Sequence, residues 1–143
     1  MASIHTYLTF SGNTEEAFNF YRSVFGGEFK VLQRFKDMGQ GDKISEADGE
    51  KVMHVALPVG NHSVLMGSDA IPSFSPAPQI GNNISVSLDT ESEEEAKRLF
   101  DGLSAGGKVT MPMEKTFWDA YFGMFTDRFG INWMINYDYK KPE

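Results

Sequence analysis

Ile4-His5-Thr6-Tyr7-Leu8-Thr9-Phe10, continuing through Asn13-Thr14-Glu15-Glu16 to Gly26-Gly27, decides the fold, because its pattern occurs twice. Ile4, Leu8 and Phe10 share one side of an extended segment with Thr6, while His5, Tyr7 and Thr9 take the other. Asn13 is placed to cap a helix and Glu16 to bond back to the cap. Ala17, Phe20, Tyr21, Val24 and Phe25 follow at helical spacing as a buried stripe. Gly26-Gly27 ends the helix, because glycine takes the left-handed turn without strain. The second copy begins at Asn83-Ile84-Ser85-Val86-Ser87-Leu88. Thr90 or Ser92 caps its helix, the stripe is Ala96, Leu99, Phe100 and Leu103, and Gly106-Gly107 closes it.

Pairing His5 with Asn83 is an offset of 78 residues and lays Leu8 on Val86. Pairing Ala17 with Ala96 is an offset of 79, so one inserted residue between strand and helix reconciles the copies. Strands are also expected at Phe29–Phe35, Val52–Val59 and His62–Gly67 in the first copy, with a turn at Gly60-Asn61. In the second they are expected at Val109–Met113, within Phe117–Thr126 and at Asn132–Tyr137. Residues 36–50 read as a mobile polar connection, and 69–82, with Pro72, Pro76 and Pro78, as a linker. The predicted fold is α+β. Two tandem β-α-β-β-β modules, 1–68 and 83–143, together form one structural domain.

Composition narrows the function. A chain of 143 residues buries enough surface to fold unaided. It has no cysteine, which removes disulfides, thiolate metal sites and cysteine nucleophiles. A net charge of −7 with scattered basic residues argues against nucleic acid. The acidic run Glu91–Glu95 suits the first turn of a helix. No signal-peptide pattern or membrane-length apolar stretch is visible, so a cytoplasmic protein without membrane contact is expected.

Phe10-Ser11-Gly12-Asn13-Thr14-Glu15-Glu16-Ala17, Phe20-Tyr21 and Val24-Phe25-Gly26-Gly27 resemble the opening of PhnB-like proteins. Phe117-Trp118, Tyr121-Phe122-Gly123, Asp127-Arg128-Phe129-Gly130 and Trp133 resemble the same group. These proteins belong to the vicinal oxygen chelate superfamily, with glyoxalase I and bleomycin-resistance proteins. The resemblance implies that the two β-α-β-β-β modules form a curled mixed sheet around a cavity, and it implies a homodimer, often with exchanged strands or modules. It also brings a ubiquinone-pathway methyltransferase label, which no glycine-rich loop for S-adenosylmethionine supports.

In the metal-using members four cavity-facing side chains hold a divalent ion. The resemblance carries those positions to His5, Met66, Asn83 and Met134, of which only His5 is an ordinary ligand for such an ion. No metal or other cofactor is therefore expected, a divalent ion at His5 being the disfavoured alternative. His5 remains a candidate acid or base, since imidazole titrates near neutral pH. Tyr7, Thr9, His62, Met66, Asn83, Ser85, Trp118, Tyr121, Phe122 and Met134 are the candidate ligand-binding residues. Aromatic rings and methionines give an adaptable lining suited to a small organic molecule. Trp133 and His54 are assigned to structure. No nucleophile or phosphate-loop motif is present. The expected function is metal-independent binding of a small molecule. The alternative is a lyase-, isomerase- or dioxygenase-type enzyme using His5 as acid or base, or within a divalent metal site.

Overall fold

Twice along the chain a strand leads into an amphipathic helix and three more strands follow. The computed structural model describes residues 2–38 and 44–140. The first set is β1 (Thr6–Phe10), α1 (Thr14–Phe25), β2 (Val31–Arg34), the short α2 (Glu46–Gly49), β3 (Val52–Val59) and β4 (Ser63–Asp69). The second is β5 (Val86–Asp89), α3 (Glu93–Ser104), β6 (Lys108–Lys115), β7 (Ala120–Thr126) and β8 (Asn132–Asp138). The chain divides into two compact units, Met1–Gln79 and Ile80–Glu143. Each holds a four-stranded mixed sheet, ordered β1-β4-β3-β2 and β5-β8-β7-β6. β1 runs parallel to β4 and β5 parallel to β8, and the other neighbours are antiparallel. The same α+β topology in both units is the duplication expected from the repeated sequence pattern.

In the first unit α1 covers one sheet face. Its buried line is Thr14, Ala17, Phe18 and Tyr21, at the i, i+3, i+4, i+7 spacing of a helix face. Phe18 thus joins the core, whereas Phe20, Val24 and Phe25 are only half-buried. Gly67 on β4 makes room for it. A Cβ at Gly67 would lie 2.6 Å from Phe18 Cε1 and 2.9 Å from the Leu8 carbonyl oxygen. Gly67→Val is therefore expected to destabilise the protein by about 1–3 kcal/mol, the usual cost of overpacking. Urea denaturation checks this, and unchanged stability would show that α1 does not press on β4.

The start of α1 departs from the expected cap. Asn13 makes no side-chain cap hydrogen bond. Asp69, buried at the end of β4, does the capping: Gly12 N, Thr14 N and Thr14 Oγ1 donate to its Oδ1 at 2.9, 3.0 and 2.6 Å. Val52 N donates to Oδ2 at 2.9 Å. One carboxylate thus ties α1, β3 and β4 together. At the surface, Arg34 on β2 pairs with Glu15 on α1 at 2.7 Å. That hydrogen bond holds the Glu15 carboxyl below the usual carboxylate range.

In the second unit Ser92 is the cap, its Oγ accepting from Glu95 N at 3.0 Å. The Glu95 carboxylate in turn accepts from Glu91 N at 2.9 Å, a reciprocal capping arrangement. Ala96, Leu99, Phe100 and Leu103 form the buried stripe. Trp133, 1% exposed, anchors this core. Its indole Nε1 donates to Asp127 Oδ2 at 2.8 Å, while Phe129 N and Ile131 N donate to Asp127 Oδ1.

The segment read as a linker is partly core. Ala70 N donates to the Phe10 carbonyl at 2.7 Å, and Ile71 is fully buried. Phe74 stacks on Phe35 with centroids 5.6 Å apart. Apolar anchoring at Ile71 and Phe74 outweighs the turn-forming signal of the prolines. Within 36–50, Phe35–Met38 forms a 3-10 turn leading toward α2, and residues 39–43 lie outside the described residues. No helix among the described residues is long and apolar enough to cross a membrane.

Candidate ligand face

Register decides which side chains share the sheet face left open by each helix. In the first unit Leu8, Gly67 and Val55 are register partners on the covered side. The adjacent partners Tyr7, Met66, Ala56 and Val31 therefore form a row on the open side. Thr9, opposite Ser68, shares that side. So does His54, whose ring stacks on Tyr7 with centroids 5.8 Å apart and planes 18° apart, reaching over β4. Tyr7 remains 48% exposed, leaving much of its ring available to a ligand. His54 was assigned to structure from sequence. It is a short-range neighbour of no other candidate, so only the strand order brings it to Tyr7.

His5 lies one residue before β1 in an exposed segment, with Nε2 3.1 Å from Ser3 Oγ. His62 lies in the exposed turn between β3 and β4 rather than on β4. Both sit outside the row that holds Met66.

In the second unit the open-side row is Ser87, Met134, Met124 and Met111, one residue from each strand. Asp89, Asn136, Phe122 and Glu114 form the next row. Trp118, 54% exposed in the turn before β7, packs edge-on near Phe122 with centroids 6.1 Å apart. Tyr121 alternates with Phe122 and lies on the helix-covered side with Gly123 and Phe125. A Cβ at Gly123 would meet Phe100 of α3, which fixes that side. Asn83 is exposed and Ser85 half-buried, both ahead of β5. Sequence reasoning missed Ser87, Met111 and Met124. The alternation of β5 carried the signal for Ser87, but two register shifts in β6 hid Met111.

The four positions assigned by resemblance to a divalent ion provide one imidazole, one carboxamide and two thioethers. Hard and borderline divalent ions take carboxylate and imidazole, so these residues do not fit such an ion. Among the described residues no group of three His, Asp or Glu side chains is arranged to hold a metal.

A separate groove of about 690 Å³ in the first unit is lined by Ser11, Lys51, Ala70, Pro72 and Phe74, among others. None of the sequence-predicted site residues lines it. It arises because 70–77 packs beside the start of α1.

The sequence profile of the family described as 3-demethylubiquinone-9 3-methyltransferase matches residues 2–136. YjdN of Escherichia coli K12 is 32% identical, the match covering 95% of each chain. The chain belongs to the PhnB-like family. The solved structure of PA1353 from Pseudomonas aeruginosa is 40% identical, with a TM-score of 0.81, 96% of this chain and 98% of that one being covered. A PhnB protein from Bacillus cereus, described there as a 3-demethylubiquinone-9 3-methyltransferase, is 26% identical, with a TM-score of 0.73 over 95% and 99% of the chains. At the level of fold alone, a glyoxalase-related enzyme from Fulvimarina pelagi superposes with a TM-score of 0.64 at 16% identity, over 96% of this chain and 89% of that one. This PhnB-like chain therefore has the glyoxalase/bleomycin-resistance fold.

The methyl transfer in the family description calls for S-adenosylmethionine, and the residues do not fit it. Gly26-Gly27 and Gly106-Gly107 follow helices rather than leading from a strand into one. In the connection from β1 to α1, the Gly12 and Thr14 amides are already bonded to Asp69.

Proposed function

We propose that this PhnB-like protein binds a small organic molecule with a planar ring, without a metal ion, on the open sheet face around Tyr7, His54 and Met66. The carrying observation is the Tyr7–His54 stack, which holds a half-exposed ring in a fixed plane. Offset stacking on such a ring is worth about 0.5–1.5 kcal/mol beyond area burial. Met66 supplies an adaptable apolar wall, and Thr9 and Ser68 supply hydroxyls that orient the ligand's polar groups.

A thermal-shift screen of aromatic and amphipathic compounds, run with and without EDTA, tests this reading. A ligand at a hundred times its Kd stabilises the fold by about 2.7 kcal/mol, and the rise in Tm is expected to be the same with chelator. Tyr7→Ala is expected to weaken binding by up to about ten-fold. A Tm rise that requires a divalent ion and disappears with EDTA would contradict the proposal. The groove beside α1 favours a second reading, because its volume suits a small molecule. In that case Tyr7→Ala leaves affinity unchanged and Phe74→Ala lowers it.

A further inference from the structure

Met111, Met124 and Met134 stand on the consecutive strands β6, β7 and β8 and are direct register partners, Met111 with Met124 and Met124 with Met134. Directly opposed residues have Cβ atoms about 4.5–5.5 Å apart, so Met111 and Met134 flank Met124 at close range. Each thioether ends an unbranched chain with three rotatable bonds, which lets the outer two sulfurs swing inward above β7. Met124 and Met134 are half-buried and Met111 is 46% exposed, so solvent reaches the row.

The row depends on an irregular edge strand. The register of β6 shifts on both sides of Met111, and Pro112 lies in the second shift. Bulges re-aim side chains in this way. Met113 is turned to the helix-covered side, where its sulfur would lie 2.6 Å from a Cβ at Gly123. Met111 is thereby left to face outward with Met124.

We propose that this row binds a soft monovalent cation, Cu(I) or its redox-inert counterpart Ag(I), through three thioether sulfurs. Thioethers select soft ions and discriminate against Mg(II), Ca(II) and Mn(II). The chain has no cysteine to compete for such an ion. The neighbouring row places the Asp89 and Glu114 carboxylates on the same face. Lys108, opposite Thr126, places an ammonium group on the other side of the methionines. The site lies in the second unit and stands independently of the organic-ligand face of the first.

Titrating the full chain with silver nitrate in chloride-free buffer, followed by native mass spectrometry and by NMR of 13C-methyl methionine, tests the assignment. One ion is expected to bind, with the Met111, Met124 and Met134 methyl signals moving together. Met124→Leu, which conserves volume, is expected to weaken binding by at least about ten-fold. The triple Leu variant is expected to abolish it, and Met53→Leu, on β3 of the first unit, to leave it unchanged. No binding by the wild-type chain would overturn the proposal. So would methyl shifts confined to other methionines, or undiminished affinity in Met124→Leu.

Discussion

Asp69→Ala is expected to lower the unfolding free energy by about 3 kcal/mol or more. The carboxylate accepts from Gly12 N, Thr14 N, Thr14 Oγ1 and Val52 N, and it is 4% exposed. Hydrogen bonds to a charged group contribute about 1.5–3 kcal/mol, and leaving a buried donor unsatisfied costs about 1–3 kcal/mol. Losing several together removes a large share of the roughly 5–15 kcal/mol that holds a typical domain folded. Asp69→Asn keeps one acceptor oxygen and is expected to cost less, since that oxygen still receives the bonds from the start of α1. Urea denaturation followed by circular dichroism measures both. A loss below about 1 kcal/mol for the alanine variant would contradict the view that this side chain joins α1, β3 and β4.

The second large effect is expected at Trp133. Trp133→Ala removes the largest fully buried side chain of the second unit and the indole bond to Asp127. Truncations of this kind cost about 3–5 kcal/mol. Trp133→Phe keeps most of the ring volume and deletes the 2.8 Å bond to Asp127 Oδ2, so a smaller loss of about 1–3 kcal/mol is expected. The difference between the two variants separates packing from the hydrogen bond. Equal losses would mean that the indole N–H, rather than its bulk, accounts for the stability.

The fold was legible because its signals are local. Alternation in β1, the stripe Ala96-Leu99-Phe100-Leu103 and the glycine pairs after the helices are each readable within a few residues. The α1 cap was misassigned to Asn13 because Asp69 lies 55 residues from Thr14. No local pattern announces a long-range carboxylate cap. Phe18 was missed for a similar reason: its place in the core depends on Gly67, a residue on another strand.

The site was less legible because strand order and register, rather than spacing, assemble it. Tyr7 and Thr9 were found through alternation within β1, and Met66 through the family resemblance. His54 was not, since it reaches Tyr7 only when β4 lies between β1 and β3. Tyr121 and Phe122 are neighbours in sequence and lie on opposite faces, which alternation alone predicts. Met111 was hidden by register shifts that no periodic reading follows.

Backbone amide shift mapping on the 15N-labelled protein with a ligand from the thermal screen tests the central claim most directly. Shifts centred on Tyr7, His54, Met66 and Ser68, unchanged by EDTA, are the predicted result. Shifts confined to Ser11, Lys51 and Phe74, or shifts that appear only when a divalent ion is added, would contradict it.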